Sequence, residues 1–192
     1  MPQPLQGNRR RLVKTTFEQL IAVSLFGILT LLVTPAFAAP PKTTPTNPLA
    51  NVKTMPDEGR WHLHPGEEWT YRSYPPTSGP HAPIPTPPGF YRRPQPFVKL
   101  VHALEHGNIV IYYDRPGPDV MARLRQWAKM DTGPFDGVIV TPLRGVGTEV
   151  ILTAWTKLLR LKPFDLRQAA AFLDAFRGRG PERGQAHSKS GG

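Results

Sequence analysis

Cysteine is missing from all 192 residues. That excludes a disulfide framework, a thiolate nucleophile and any Cys-based zinc or iron–sulfur site. A metal would have to be held by His, carboxylate, Met or backbone oxygen. Acid is scarce: 14 Asp+Glu face 24 Lys+Arg, a formal net charge of +10. An apolar run long enough to span a membrane, roughly 20 residues, is also missing, because the run Leu20–Val33 is shorter and is interrupted by Ser24, Gly27 and Thr30. There is no internal repeat. The length excludes a barrel enzyme or a two-domain dehydrogenase and leaves one domain, with or without a leader.

What is present begins with that leader. Arg9, Arg10, Arg11 and Lys14 precede the apolar run, and Ala36-Phe37-Ala38 follows it. The order of basic, apolar and small residues predicts a secretory signal over 1–38, cleaved after Ala38. The other reading is an uncleaved anchor extended back through Phe17. Either places the rest of the chain outside the cytoplasm, in the periplasm or beyond the cell, with membrane contact only through an uncleaved leader. Losing four bases and one acid with the leader lowers the charge excess by three. The remaining excess forms no basic stripe interleaved with aromatics, so nucleic acid is not expected as a partner. The tail 183–192, which holds His187, is expected to be disordered and solvated.

Proline then dominates. It recurs throughout the stretch from Pro40 to Pro96, where missing N–H groups and a fixed φ preclude a helix or a central strand. Residues 39–59 are expected to be a disordered linker. From Arg60 the aromatics Trp61, Trp69, Tyr71, Tyr74, Phe90, Tyr91 and Phe97 predict an ordered coiled segment wrapped over a domain at 60–182. A long loop with little secondary structure is uncommon unless it is functional.

Regular elements follow. Val98–Glu105 and Ile109–Tyr113 are expected to pair as a hairpin about Gly107-Asn108. A helix is predicted from Pro118 to Met130, with Pro118 and Asp119 suiting its start and Val120, Leu124, Trp127 and Ala128 on one face. Gly137–Thr141 and Glu149–Trp155 predict two more strands. Asp165 as N-cap, Gln168 three residues on and Gly178 beyond the end frame a last helix, with Leu166, Ala169, Ala170, Leu173 and Phe176 on its apolar face. The expected fold is α/β: a two-layer sandwich of a small mixed sheet with two helices on one face. Its core would include Leu100, Ile109, Ile111, Leu124, Trp127, Ile139, Ile151, Leu173 and Phe176.

Five of the six histidines fall between His62 and His106. His102 and His106 share a face whether their segment is helix or strand, and Glu105 joins them only in a helix. The string His102-Ala-Leu-Glu105-His106 also fits the inverted zincin pattern H-x-x-E-H, in which Glu is general base for zinc-bound water. That motif needs a helix, and the residues after it are strand-forming. Ser78 lies in turn sequence without a nucleophile elbow, so the Thr77–Pro80 turn is expected to aim His81 inward. Met55 and Met121 offer thioethers outside any Met-rich motif.

Three strings carry a resemblance: Tyr71-x-x-Tyr74-Pro75-Pro76-Thr77-Ser78-Gly79-Pro80-His81, then Leu100-Val101-His102-Ala103-Leu104-Glu105-His106-Gly107, then Leu152-Thr153-Ala154-Trp155 running to Phe164-Asp165. The chain resembles the bacterial family known as domain of unknown function 3105 over roughly His62 to Glu182. The resemblance implies no reaction. It implies a preceding signal or membrane anchor and marks His64, His81, His102 and His106 as motif positions. Imidazoles without thiolate suit zinc, copper(II), nickel or iron, with Glu105 as ligand, orienter or base and Ser78 beside His81. The reading is therefore an exported domain binding a transition metal through clustered histidines. The alternative is a non-catalytic envelope module, meeting a protein or small ligand, in which the histidines are structural. A metal-dependent hydrolase is a subset of the first.

Overall fold

The computed structural model describes residues 47–130, 133 and 135–182. The leader, the first part of the linker and the tail with His187 lie outside the described residues. The elements in chain order are β1 (Lys53–Thr54), β2 (Gly89–Phe90), α1 (Phe97–His106), β3 (Ile109–Tyr113), α2 (Pro118–Trp127), β4 (Val138–Pro142), β5 (Val150–Ala154), β6 (Lys157–Leu161) and α3 (Leu166–Phe176). The strands form one sheet in the order β1-β6-β5-β3-β4-β2. β3 and β4 are parallel, joined through α2, and β2 runs parallel to β4. β5 lies antiparallel to β3 and to β6, and β1 antiparallel to β6.

Period two along the strands splits the core between two faces. Ile109, Ile111, Val138, Val140, Val150, Leu152, Leu159 and Leu161 face α2 and α3, meeting Leu124, Phe172 and Leu173. Val110, Tyr112, Ile139, Ile151 and Leu158 face α1, meeting Leu100, Ala103 and Leu104. The α/β class with a mixed sheet therefore holds, and α2 and α3 share a face as expected. A third helix covers the other face. Of the expected core, Trp127 and Phe176 are partly buried against it and the rest are buried. Leu166, placed on the apolar face of α3, is instead exposed.

The main difference is α1, expected as a strand. Phe97, Leu100, Ala103 and Leu104 recur at helical spacing, and the sheet takes that face. Gly107 is indeed a turn residue, but it closes a helix: at φ 103° its N–H reaches Leu104 O, and Asn108 N–H reaches Ala103 O. This is glycine's usual role just past a helix end. The helix is sheltered on both sides, so its polar residues His102 and Glu105 are buried too. α3 starts as expected, with the Asp165 carboxylate accepting from Gln168 N–H at 3.0 Å.

Two further differences concern edges. Residues 47–59 fall within the span read as linker, yet they hold a turn and β1, with Val52 and Met55 packed on the core. β6 was not anticipated. It returns from β5 through Trp155-Thr156, which has no Gly or Asn, and Thr156 itself takes φ 59°.

Candidate metal centre

The proline-rich motif is packed against the domain as an inner layer. Pro75 to His81 are all buried. The chain at 59–63 runs alongside it: Gly79 N–H donates to Gly59 O, His81 N–H to Trp61 O, and Leu63 N–H to His81 O, at 2.8–3.1 Å. The Ser78 hydroxyl donates to Pro56 O at 3.1 Å and accepts from Glu58 N–H at 3.0 Å. Both bonds clasp the turn to the chain at 56–58. The turn aims His81 inward, as expected, and its ring is fully buried.

Four imidazoles meet there. His62 and His81 arrive on the paired coil, His102 and His106 one turn apart on α1. Ring centroids stand 5.2 Å apart for His62–His81, 5.0 Å for His62–His102, 4.7 Å for His81–His102 and 4.5 Å for His102–His106. Two sets of ligand atoms lie within 4.8 Å of one another: His62, His81 and His102, and separately His102, His106 and Glu182. His102 Nε2 is 2.9 Å from His106 Nε2, which is 2.7 Å from Glu182 Oε2. Two nitrogens bound to one zinc at about 2.0–2.1 Å stand about 2.9 Å apart at a right angle and about 3.4 Å apart at the tetrahedral angle. The spacing thus suits one ion after a small adjustment.

Backbone carbonyls fix the tautomers. His102 Nδ1–H donates to Ala82 O at 2.7 Å and His81 Nδ1–H to Gly79 O at 2.9 Å. In each neutral ring that leaves Nε2 as the lone-pair nitrogen, the arrangement by which proteins orient metal-binding imidazole. His81 Nε2 lies 3.0 Å from Glu105 Oε2 but out of hydrogen-bond alignment, buried and without a hydrogen-bond partner. A lone pair facing a carboxylate needs positive charge between them, either a second ring proton or a cation. This donor set fits a borderline metal ion.

Burial pushes His102 down to about 4, helped by His81, His106 and His62 and opposed by the Ala82 carbonyl. Burial would raise Glu105, yet the His81 contact, then His102 and Arg60, hold it below its ordinary value. The unfolded chain therefore takes up a proton on His102 near pH 6.5, whereas the folded one resists until about 4. Stability should rise with pH across that window. Acidifying metal-free protein from pH 7 to 4 should cost at most about 3 kcal/mol through this group, at about 1.4 kcal/mol per pH unit. Urea midpoints of wild type and His102→Gln over that range check it, the variant losing this share of the slope.

Glu182 is delivered by the segment after α3. Gly178 N–H donates to Gly107 O at 2.7 Å and Glu182 N–H to Glu105 O at 3.2 Å. Gly180 passes so close that an added Cβ would overlap Glu105 O and Gly107 N, both backbone atoms. Gly180→Ala should therefore lift this strap, with an overpacking penalty of about 1–3 kcal/mol. Thermal unfolding and faster trypsin cleavage after Arg179 would report it.

Of the residues expected at the site, His81, His102, His106 and Glu105 converge. His64 does not. It opens a turn, with its N–H donating to the Glu67 carboxylate at 2.9 Å and its carbonyl accepting from Glu67 N–H, and it is exposed. His62, two residues earlier, takes its place. The Pro65-Gly66 turn signal was the available clue that His64 would rotate away. Glu182 was missed because nothing local links it to residues 76 positions earlier. The H-x-x-E-H string does lie on a helix, but Glu105 faces His81.

A family model described as Protein of unknown function (DUF3105) matches residues 62–189. That span holds every histidine and carboxylate of the two ligand sets. No curated protein and no solved structure matches the chain.

Proposed function

The chain belongs to the DUF3105 family of proteins of unknown function, and from that premise we propose that it is an exported protein that binds a transition-metal ion through His62, His81 and His102, with His106 and Glu182 as an adjoining set. The observation that carries this is the convergence of the ligand atoms of His62, His81 and His102 within 4.8 Å of one another, with the Nδ1 atoms of His81 and His102 committed to carbonyls. Zinc, copper(II) and nickel suit such a donor set.

Export rests on the basic, apolar and small-residue order of 1–38. Among the described residues no helix is long and apolar enough to cross a membrane. Metal analysis of protein purified without a His-tag, followed by calorimetric titration of zinc, copper(II) and nickel, tests the metal reading. Stoichiometric binding supports it. Absence of binding by all three returns the histidines to a structural role within an envelope interaction module, where the exposed edge-to-face pair Trp61–Trp69 is the surface that could meet a protein.

A further inference from the structure

Both ligand sets open onto one pocket of about 240 Å³, lined by Arg60, His62, Glu105 and Glu182. Arg60 is exposed there, and its guanidinium makes one long bond, 3.4 Å to Pro181 O. No carboxylate of the described residues comes within 4.0 Å of it, although two line the same pocket. The opposite charges thus stand apart across a space a few atoms wide. Without an ion, the two carboxylates are balanced at most by the Arg60 guanidinium and a second proton on His81, so the pocket has no net positive charge to attract an anion. A divalent ion reverses that balance. Three imidazoles also leave one position of a tetrahedral ion open, and His62 is both a candidate ligand and part of the pocket wall.

We propose that this pocket binds a small carboxylate anion that joins the metal ion to Arg60. The inference rests on the metal reading above and adds the ligand class. One carboxylate oxygen would ligate the ion and the other would accept a charge-assisted hydrogen bond from the Arg60 guanidinium, whose several directed N–H groups suit it better than a lysine ammonium. Binding is ordered: the ion comes first, because the anion has no net attraction to the metal-free pocket.

The test uses the full chain loaded with cobalt(II) and acetate as probe, read by the visible absorption of the bound cobalt. Acetate should perturb the spectrum saturably. Arg60→Ala should weaken acetate about tenfold or more, the loss expected for a charge-assisted hydrogen bond, with cobalt affinity unchanged. Arg60→Lys should fall between. Arg60 is exposed, so neither variant threatens folding. A spectrum indifferent to acetate overturns the inference and leaves the metal reading intact. So does equal acetate affinity in wild type and Arg60→Ala, or equally tight binding to metal-free protein by calorimetry. Failure of cobalt, zinc, copper(II) and nickel alike to bind overturns both.

Discussion

Replacing Ile111 or Leu173 by alanine should lower the unfolding free energy by about 2–5 kcal/mol each, the range for deleting buried branched side chains from a close-packed core. Ile111 is fully buried on β3, between Val140 and Leu152 in neighbouring strands. Leu173 descends from α3 onto the same face. The two losses come from opposite sides of one layer, so both report whether the helices pack on the sheet as described. Urea midpoints should fall with unchanged slope, since the surface exposed on unfolding stays nearly the same. Leu166→Ala on the exposed side of α3 should stay within about 0.5 kcal/mol. Unchanged midpoints for both core variants would mean that this face is not the core.

Most of that layer was legible in the sequence because its signals are local. Ile109–Tyr113 is β-branched and aromatic, Pro118 and Asp119 start α2, and Asp165 with Gln168 caps α3. The other face was misread at one element. Val98–Glu105 is apolar enough for either a strand or a helix, and Gly107-Asn108 serves a hairpin and a helix end equally well through the same left-handed glycine. Tertiary context decided it, because α1 is sheltered by the sheet and by the coil at 60–86. β6 escaped notice because Lys157 and Arg160 break its apolar run and its turn lacks Gly and Asn.

The site was legible to the same depth. His102 and His106 are bound together by spacing in any secondary structure, and His81 by the turn before it. The Pro65-Gly66 turn hinted that His64 would rotate away, but bringing His62 in its place required knowing that 59–63 pairs with 79–81, a long-range register. Glu182 depends on Gly180 fitting against the end of α1, which is likewise a tertiary fact.

His102→Ala should have the largest effect on metal binding, because His102 is the one residue common to both ligand sets. Its Nδ1 is committed to Ala82 O, so only Nε2 can ligate. One ring cannot then serve two ions, and the sets are alternative positions for a single ion. Removing His102 dismantles both, whereas His62→Ala spares His102, His106 and Glu182, and His106→Ala spares His62, His81 and His102. Changing a partner of a metal ligand already weakens binding about 10–100-fold, so losing the shared ligand should cost on the order of a hundredfold or more. The two single-set variants should lose less, and His102→Ala/His106→Ala should be no worse than His102→Ala alone within a few-fold, because the first change has already broken both sets. His102→Ala also leaves Ala82 O unpaired, a penalty of about 1–3 kcal/mol in stability. His102→Asn, whose amide nitrogen lies near the place of Nδ1 and can still donate to that carbonyl, separates lost ligation from lost folding. Calorimetric zinc titration at pH 7, beside thermal melts of each metal-free variant, reads both quantities. If folded His102→Ala or His102→Asn binds zinc as tightly as wild type, the shared-ligand arrangement is wrong and the ion, where it binds, is held elsewhere.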